Sequence, residues 1–196
     1  MSRSLCEKCQ FVLADCICDQ LQSVNNQIHV VVLQHRSEEN NAKNTIRLAK
    51  LLYKRITVLT GDNSDDFSEL NSLPLATTAL LYPGEDAETL ENTSTDLNLT
   101  HLIVLDGTWK KANKLFFTID ILKQLRQVSF AQLPDNRYHL RKANRSDSLS
   151  SLEAIAYALF CKEALPMAPA YSALDAMMEN QFKYMPAEVR ARYKSK

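Results

Sequence analysis

The sequence predicts an α/β protein, a mostly parallel sheet with helices on both faces, and three observations carry that expectation. Short apolar runs rich in β-branched residues, such as Ile28-His29-Val30-Val31-Val32-Leu33-Gln34, lack polar alternation, as strands buried on both sides do. Segments of helical period alternate with these runs, the pattern that places helices on both faces of a sheet. The length of 196 residues, with 45% hydrophobic and 23% charged content, suits one core plus a small appendage. The expected division is a cysteine-rich knuckle over residues 1–24 and a main domain over residues 25–196.

The knuckle holds Cys6, Cys9, Cys16 and Cys18, spaced C-x2-C-x6-C-x-C. In a reducing compartment four thiols this close together favour a tetrahedral zinc site over disulfides. Four thiolates leave no open position for water, so the expected zinc is structural. Unligated thiols or a redox pair are the alternative, and metal content separates them. Cys161 lies in an apolar helical run and reads as core.

Strands follow at residues 28–34 and 56–60, around a helix over 44–55 with Asn44 or Thr45 as its cap. A third strand stops at Tyr82-Pro83-Gly84, and a fourth, residues 101–106, ends in Asp106-Gly107-Thr108-Trp109. One long helix is expected over 108–125, a fifth strand over 126–133, and helices over 151–164 and 172–193. Ligands of parallel sheets sit beyond the carboxyl ends of strands. Tyr82-Pro83-Gly84 and the turn around Asp106 both fall there.

Formal net charge is zero, but the charges segregate. Every charge between residues 60 and 100 is acidic, whereas residues 110–145 carry nine Lys and Arg against Asp120 and Asp135. Such segregation can build a local positive face on a neutral chain. Lys110, Lys111, Lys114, Arg137, Lys142 and Arg145 are the candidate RNA-phosphate contacts. No run approaches about 18 consecutive apolar residues, so no membrane span is expected. The N-terminus is polar and cysteine-bearing rather than signal-like, which makes the cytoplasm the expected compartment.

Asp106-Gly107-Thr108-Trp109 after an apolar strand resembles the signature of the DTW-domain family of tRNA-uridine aminocarboxypropyltransferases. The resemblance runs along nearly the whole chain: the cysteine cluster, then His35, Glu38, Asn44 and Thr45, then Tyr82 and Pro83. Tyr138, Leu140, Arg141 and Lys142 follow, and Ser148, Ser150 and the Glu153-Ala154 pair complete it. The chain departs from the family pattern at Arg36, where Pro is usual, at Ile46, often Gly, and at Ser151, usually Thr. The resemblance implies a relative of the SPOUT superfamily, with a C-terminal trefoil knot that binds S-adenosylmethionine (SAM). It also implies transfer of the 3-amino-3-carboxypropyl group of SAM to N3 of a tRNA uridine, with methylthioadenosine released.

Such a displacement depends on which carbon of the sulfonium faces the nucleophile, so positioning dominates. The uridine imide must lose its N3 proton, and Asp106 is the candidate base; its other reading is to cap or orient the loop. Gly107 suits a tight turn or close approach, and Thr108 suits a helix cap. Trp109 is either core, in phase with Ala112, Leu115, Phe116 and Ile119, or a ring against the cofactor or a flipped base. With the resemblance, Tyr82, Pro83, Tyr138, Leu140, Arg141, Ser150, Ser151 and Glu153 complete the expected cofactor pocket. Two readings compete, a SAM-dependent RNA methyltransferase and a non-catalytic zinc-containing RNA-binding protein. The sequence leaves monomer and homodimer open.

Overall fold

The computed structural model describes residues 4–91, 98–138 and 149–194. Six strands form one sheet in which every pair is parallel: β1 (His29–His35), β2 (Ile56–Gly61), β3 (Thr78–Leu81), β4 (Glu88–Thr89), β5 (His101–Asp106) and β6 (Arg126–Ser129). Their order is β2-β1-β5-β3-β6-β4, so β5 is inserted between β1 and β3. The helices are α1 (Ile46–Leu52), α2 (Trp109–Thr118), α3 (Ser151–Glu163), α4 (Ala168–Lys183) and α5 (Ala187–Lys194).

Alternation along the strands divides the apolar residues between two cores. Val30 and Val32 of β1, with Leu102 and Val104 of β5, face α1, α3 and α4. Val31, Leu33 and Ile103 face the other way, toward Leu115 of α2 and Phe67 and Leu70 of the 3-10 segment Asp65–Ser72. The helices after the adjacent strands β1 and β5 therefore lie on opposite faces. Such a divergence marks the carboxyl-end switch point at which parallel α/β sheets generally bind ligands.

The knuckle is not separate from this core. Cys9 and Ile17 are buried in the same cluster as α1 and α4. The Asn180 amide donates to the Asp15 carbonyl, and Lys183 pairs with the Asp15 carboxylate at 3.0 Å. At the amino-terminal end of β1, Glu163 closes α3 onto the sheet. Its two carboxylate oxygens take the backbone N–H groups of Gln27 and Ile28, each at 2.7 Å.

Several boundaries differ from expectation. The long helix over 108–125 is two pieces, α2 and the 3-10 turn Asp120–Gln124, hinged at Ile119 with φ −100° and ψ 96°. Thr118, Ile119 and Ile121 are β-branched and weak helix formers, and Asp120 begins the new turn. The last helix also divides, because Pro186 removes a backbone donor between α4 and α5. Pro169 sits in the first turn of α4, where a missing N–H costs nothing, so that helix starts before residue 172. β6 ends at Ser129 rather than 133, because the backbone N–H groups of Ala131 and Gln132 turn to the Glu91 carboxylate. β4 is two residues long, too short to show in the pattern.

Candidate active site and cysteine centre

The register sets the site. Gln34 lies opposite Thr60 on one side and Asp106 on the other. Adjacent residues in a parallel register point to one face, so these three side chains form a polar row on the α1–α3 side. The Thr60 hydroxyl meets Gln34 Oε1 at 3.4 Å, and Gln34 Nε2 donates to Asp106 Oδ2 at 3.0 Å. Asn44 Nδ2 donates to the same oxygen at 2.6 Å, and the Ser151 hydroxyl donates to Oδ1 at 2.5 Å. Asp106 is 2% exposed. A buried carboxylate is tolerable there because both oxygens are satisfied. Three segments far apart in the chain, the end of β1, the turn before α1 and the start of α3, thus converge on one side chain.

Asn44 works twice, since its Oδ1 also accepts from the Ile46 N–H at the start of α1. Thr45 Oγ1 accepts from Leu152 N–H at 3.3 Å, which joins the first turns of α1 and α3. Glu153 is the second buried carboxylate. It forms a reciprocal capping box with Ser150, whose N–H and hydroxyl both donate to Oε2. Its Oε1 takes the N–H groups of Arg137 and Tyr138, at 2.7 and 3.3 Å. Tyr138 is buried, and its hydroxyl donates to the Lys43 carbonyl at 2.8 Å. Glu153 therefore fixes the backbone at Arg137 and Tyr138. Glu153→Gln turns an amide NH2 toward groups that are themselves donors, and should cost about 2 kcal/mol. Urea unfolding measures that loss, and an unchanged midpoint would count against this role.

Gly107 and Thr108 carry the chain to the other face of the sheet. A Cβ on Gly107 would meet Lys111 Cβ at 2.9 Å, so close approach of α2 requires glycine there. Thr108 caps α2 as expected, its hydroxyl accepting from Lys111 N–H at 3.4 Å. Trp109 is not core: it is 48% exposed, with its ring edge-on to Tyr82 at 6.3 Å. The Tyr82 ring stacks on Phe116 at 4.4 Å, its hydroxyl donates to Asn113, and burial raises its pKa. Pro83 is exposed beside it.

The expected pocket thus has two parts, Asp106, Tyr138, Ser150, Ser151 and Glu153 on the α3 side, and Tyr82, Pro83 and Trp109 on the α2 side. Leu140, Arg141, Lys142, Arg145 and Ser148 lie outside the described residues. Gln34 and Thr60 were missed by the sequence reading. Their signal was a polar residue at the same height in two adjacent strands, invisible until the register is known.

Of the candidate phosphate contacts, Lys110 and Lys114 are exposed on α2. Lys111 instead reaches the buried Glu38, Nζ to Oε1 at 2.6 Å, while Asn41 donates to Oε2. Arg137 lies over the Tyr171 ring, 4.4 Å from its centroid. Lys111→Met removes the Lys111 charge from the buried Glu38 carboxylate and should cost about 3 kcal/mol. Adding Glu38→Gln should recover part of that loss in denaturant unfolding; no recovery would mean the pair is not the cause. His35 accepts from Ser37 N–H through Nδ1, and its Nε2 lies 3.3 Å from Asp62. That arrangement closes the turn Arg36–Glu38 next to the site.

All four knuckle sulfurs lie within 4.8 Å of one another. Cys6 Sγ is 3.7 Å from Cys18 and 3.5 Å from Cys16, and Cys9 is 3.7 Å from Cys16. A zinc tetrahedron with bonds of about 2.3 Å has edges of about 3.8 Å, so the thiols already stand at ligating separations. Backbone N–H groups of Cys9 and Lys8 lower the Cys6 thiol to about 6. Burial, with the neighbouring thiols, pushes Cys18 up to about 12. A divalent cation among them reverses that second effect, because it favours every thiolate.

The fold and the two sites define the class: a parallel α/β protein with a polar site at the carboxyl ends of its strands and a cysteine centre able to hold a metal. The chain belongs to the DTW domain family, whose model matches residues 3–188. It is 30% identical over 176 residues to a Drosophila melanogaster protein named tRNA-uridine aminocarboxypropyltransferase 2, covering 84% of this chain and 68% of that one. It is 32% identical over 169 residues to a Mus musculus protein of the same name, covering 80% of this chain and 56% of that one. A Macaca fascicularis protein so named is 30% identical over 169 residues, with the same shares covered. The chain thus spans little more than half the length of the two mammalian relatives. No solved structure matches it. Among the described residues, no helix is long and apolar enough to cross a membrane.

Proposed function

We propose that the protein modifies tRNA in the cytoplasm, transferring the 3-amino-3-carboxypropyl group of SAM to N3 of a uridine. The names of the relatives support the activity, and the polar groups gathered at the ends of β1, β3 and β5 support a site for it there. In this reading residues 25–196 form a SPOUT-like catalytic domain, knotted near its C-terminus, and residues 1–24 a structural zinc knuckle. The residues present suit SAM in charge. Two buried carboxylates, Asp106 and Glu153, would supply a negative field to a sulfonium and an ammonium bound beside them, and Tyr82-Pro83 would offer apolar surface to an adenine. Gly107, Thr108 and Trp109 would form the rim, with Ser150, Ser151 and Tyr138 on the α3 side, and Leu140 and Arg141, outside the described residues, are proposed as further contacts. When bound, SAM supplies an electrophilic γ-carbon beside its sulfonium.

What this chain contributes is position and exclusion of water. Asp106 is the hinge of that positioning. Its two oxygens are buried and already accept three hydrogen bonds from Gln34, Asn44 and Ser151, so a substrate proton would have to displace a donor to reach them. Of its two candidate roles, holding the site together is therefore the one we assign. The direct test is mass spectrometry of tRNA nucleosides after incubation with protein and SAM. Aminocarboxypropyluridine with methylthioadenosine is expected. A methylated base with S-adenosylhomocysteine would make the protein a methyltransferase, and an unmodified uridine pool would end the transferase reading.

A further inference from the structure

The outer face of α2 has no structural occupant among the described residues, and its composition is unusual. Phe117 is 66% exposed and Trp109 48% exposed, two large apolar side chains on a single short helix. They are linked through Phe116, whose ring meets Phe117 at 5.3 Å and stacks on Tyr82, which in turn meets Trp109. The helix hides its apolar duty elsewhere, in the buried Ala112 and Leu115. Helical spacing sets two parallel stripes on the open side: Trp109, Asn113 and Phe116 in one, Lys110, Lys114 and Phe117 in the other. Neither Lys110 nor Lys114 is ion-paired to a described residue. Asp120, the first acid after the helix, is engaged by Lys123 at 2.7 Å.

Resting on the RNA reading above, we propose that this face is a stacking platform for single-stranded RNA next to the target uridine. Bases lie against Trp109 and Phe117, and phosphates lie beside Lys110 and Lys114. Exposed rings bordered by unneutralised lysines are what a single strand needs, because every base has a π-face and every linkage a negative charge. A duplex keeps its bases stacked on one another and could use only the lysines. A protein partner matched to this surface would need acids against both lysines as well as apolar side chains. The position fits as well. The platform begins three residues after Asp106 and runs about 12 Å along α2 from Trp109 to Phe117, enough for about three nucleotides at about 3.4 Å each.

The chain has one tryptophan, so its emission reports on this face alone. Hexauridylate titrated into the full protein should quench Trp109, with a midpoint that rises with salt. The titration is run at saturating SAM, which borders Trp109 in the reading above, so that the RNA quench is counted beyond any change SAM alone produces. Phe117→Ala touches a mostly exposed ring and should fold normally while weakening the midpoint by roughly tenfold. Phe117→Tyr should restore it, and Lys114→Ala should lower the salt slope by about one. Absence of quenching, an unchanged midpoint in Phe117→Ala, or equal affinity for a duplex would overturn the platform. So would a dimer that Phe117→Ala turns into a monomer in sedimentation, which would make the face a protein interface. Quenching by RNA without any nucleoside product would instead remove the transferase reading and leave the platform standing.

Discussion

Asp106→Asn should keep the fold and measurable transfer, while Asp106→Ala should lose both. The asymmetry follows from the donors around the carboxylate. Asparagine can keep its carbonyl oxygen where Oδ2 stands, accepting from Gln34 and Asn44. Its NH2 then takes the place of Oδ1, and the Ser151 hydroxyl rotates its hydrogen and accepts instead of donating. What goes is the charge, which makes each hydrogen bond stronger, so a loss of about 1–2 kcal/mol is expected. Alanine leaves two amide donors and a hydroxyl without an acceptor in a buried site, a cost of about 3 kcal/mol or more. It also releases the turn before α1 and the start of α3 from β5. Thermal unfolding, SAM calorimetry and single-turnover transfer separate the outcomes. If Asp106 is the base, Asp106→Asn should bind SAM normally and lose about 100- to 10,000-fold in rate. That pattern would sink the holding role.

Removing metal from the knuckle should have the second large effect. The purified, reduced protein is expected to contain one zinc per chain, and a strong chelator should lower its melting temperature by about 10 °C or more. The sulfurs already stand near the edge length of a zinc tetrahedron, and a structural zinc can contribute about 10 kcal/mol to a small fold. Here only part of that reaches global stability, about 4 kcal/mol on the scale of 2–4 °C per kcal/mol for a chain this size. The knuckle shares the core of α1 and α4 through Cys9 and Ile17, so its loosening exposes apolar surface of the main domain. Cys9→Ser should reproduce the shift without chelator. Metal content well below one together with an unchanged melting temperature would refute a structural zinc.

Much of the site was legible because its parts carry local chemistry. The turn Asp106-Gly107-Thr108-Trp109 announces itself by ending an apolar run, and Thr108 caps α2 for the reason any threonine there would. Ser150 and Glu153, three residues apart ahead of an apolar helix, have the spacing of the capping box they form. The cysteine spacing points to the centre that their sulfurs build. Lys111 was misleading because its sequence neighbours are cationic and exposed, whereas its partner Glu38 is 73 residues away. Trp109 was ambiguous for a related reason. Helical phase placed it with Leu115, but the first turn of α2 follows the carboxyl end of β5 directly, and there Trp109 stays 48% exposed against Tyr82.

The sequence by itself determined the alternation of buried strands and amphipathic helices, the caps and prolines that bound them, and the four-thiol cluster. All of these are encoded within a few residues of one another. Only the tertiary structure decided that β5 lies between β1 and β3, and with it that Gln34 and Asp106 stand side by side. It alone set the helices after β1 and β5 on opposite faces, and so put Asp106 in the α3 core and Trp109 on the α2 surface. The physical reason is the parallel register. It is fixed by burial summed over whole strands, and it joins residues that no local pattern can pair.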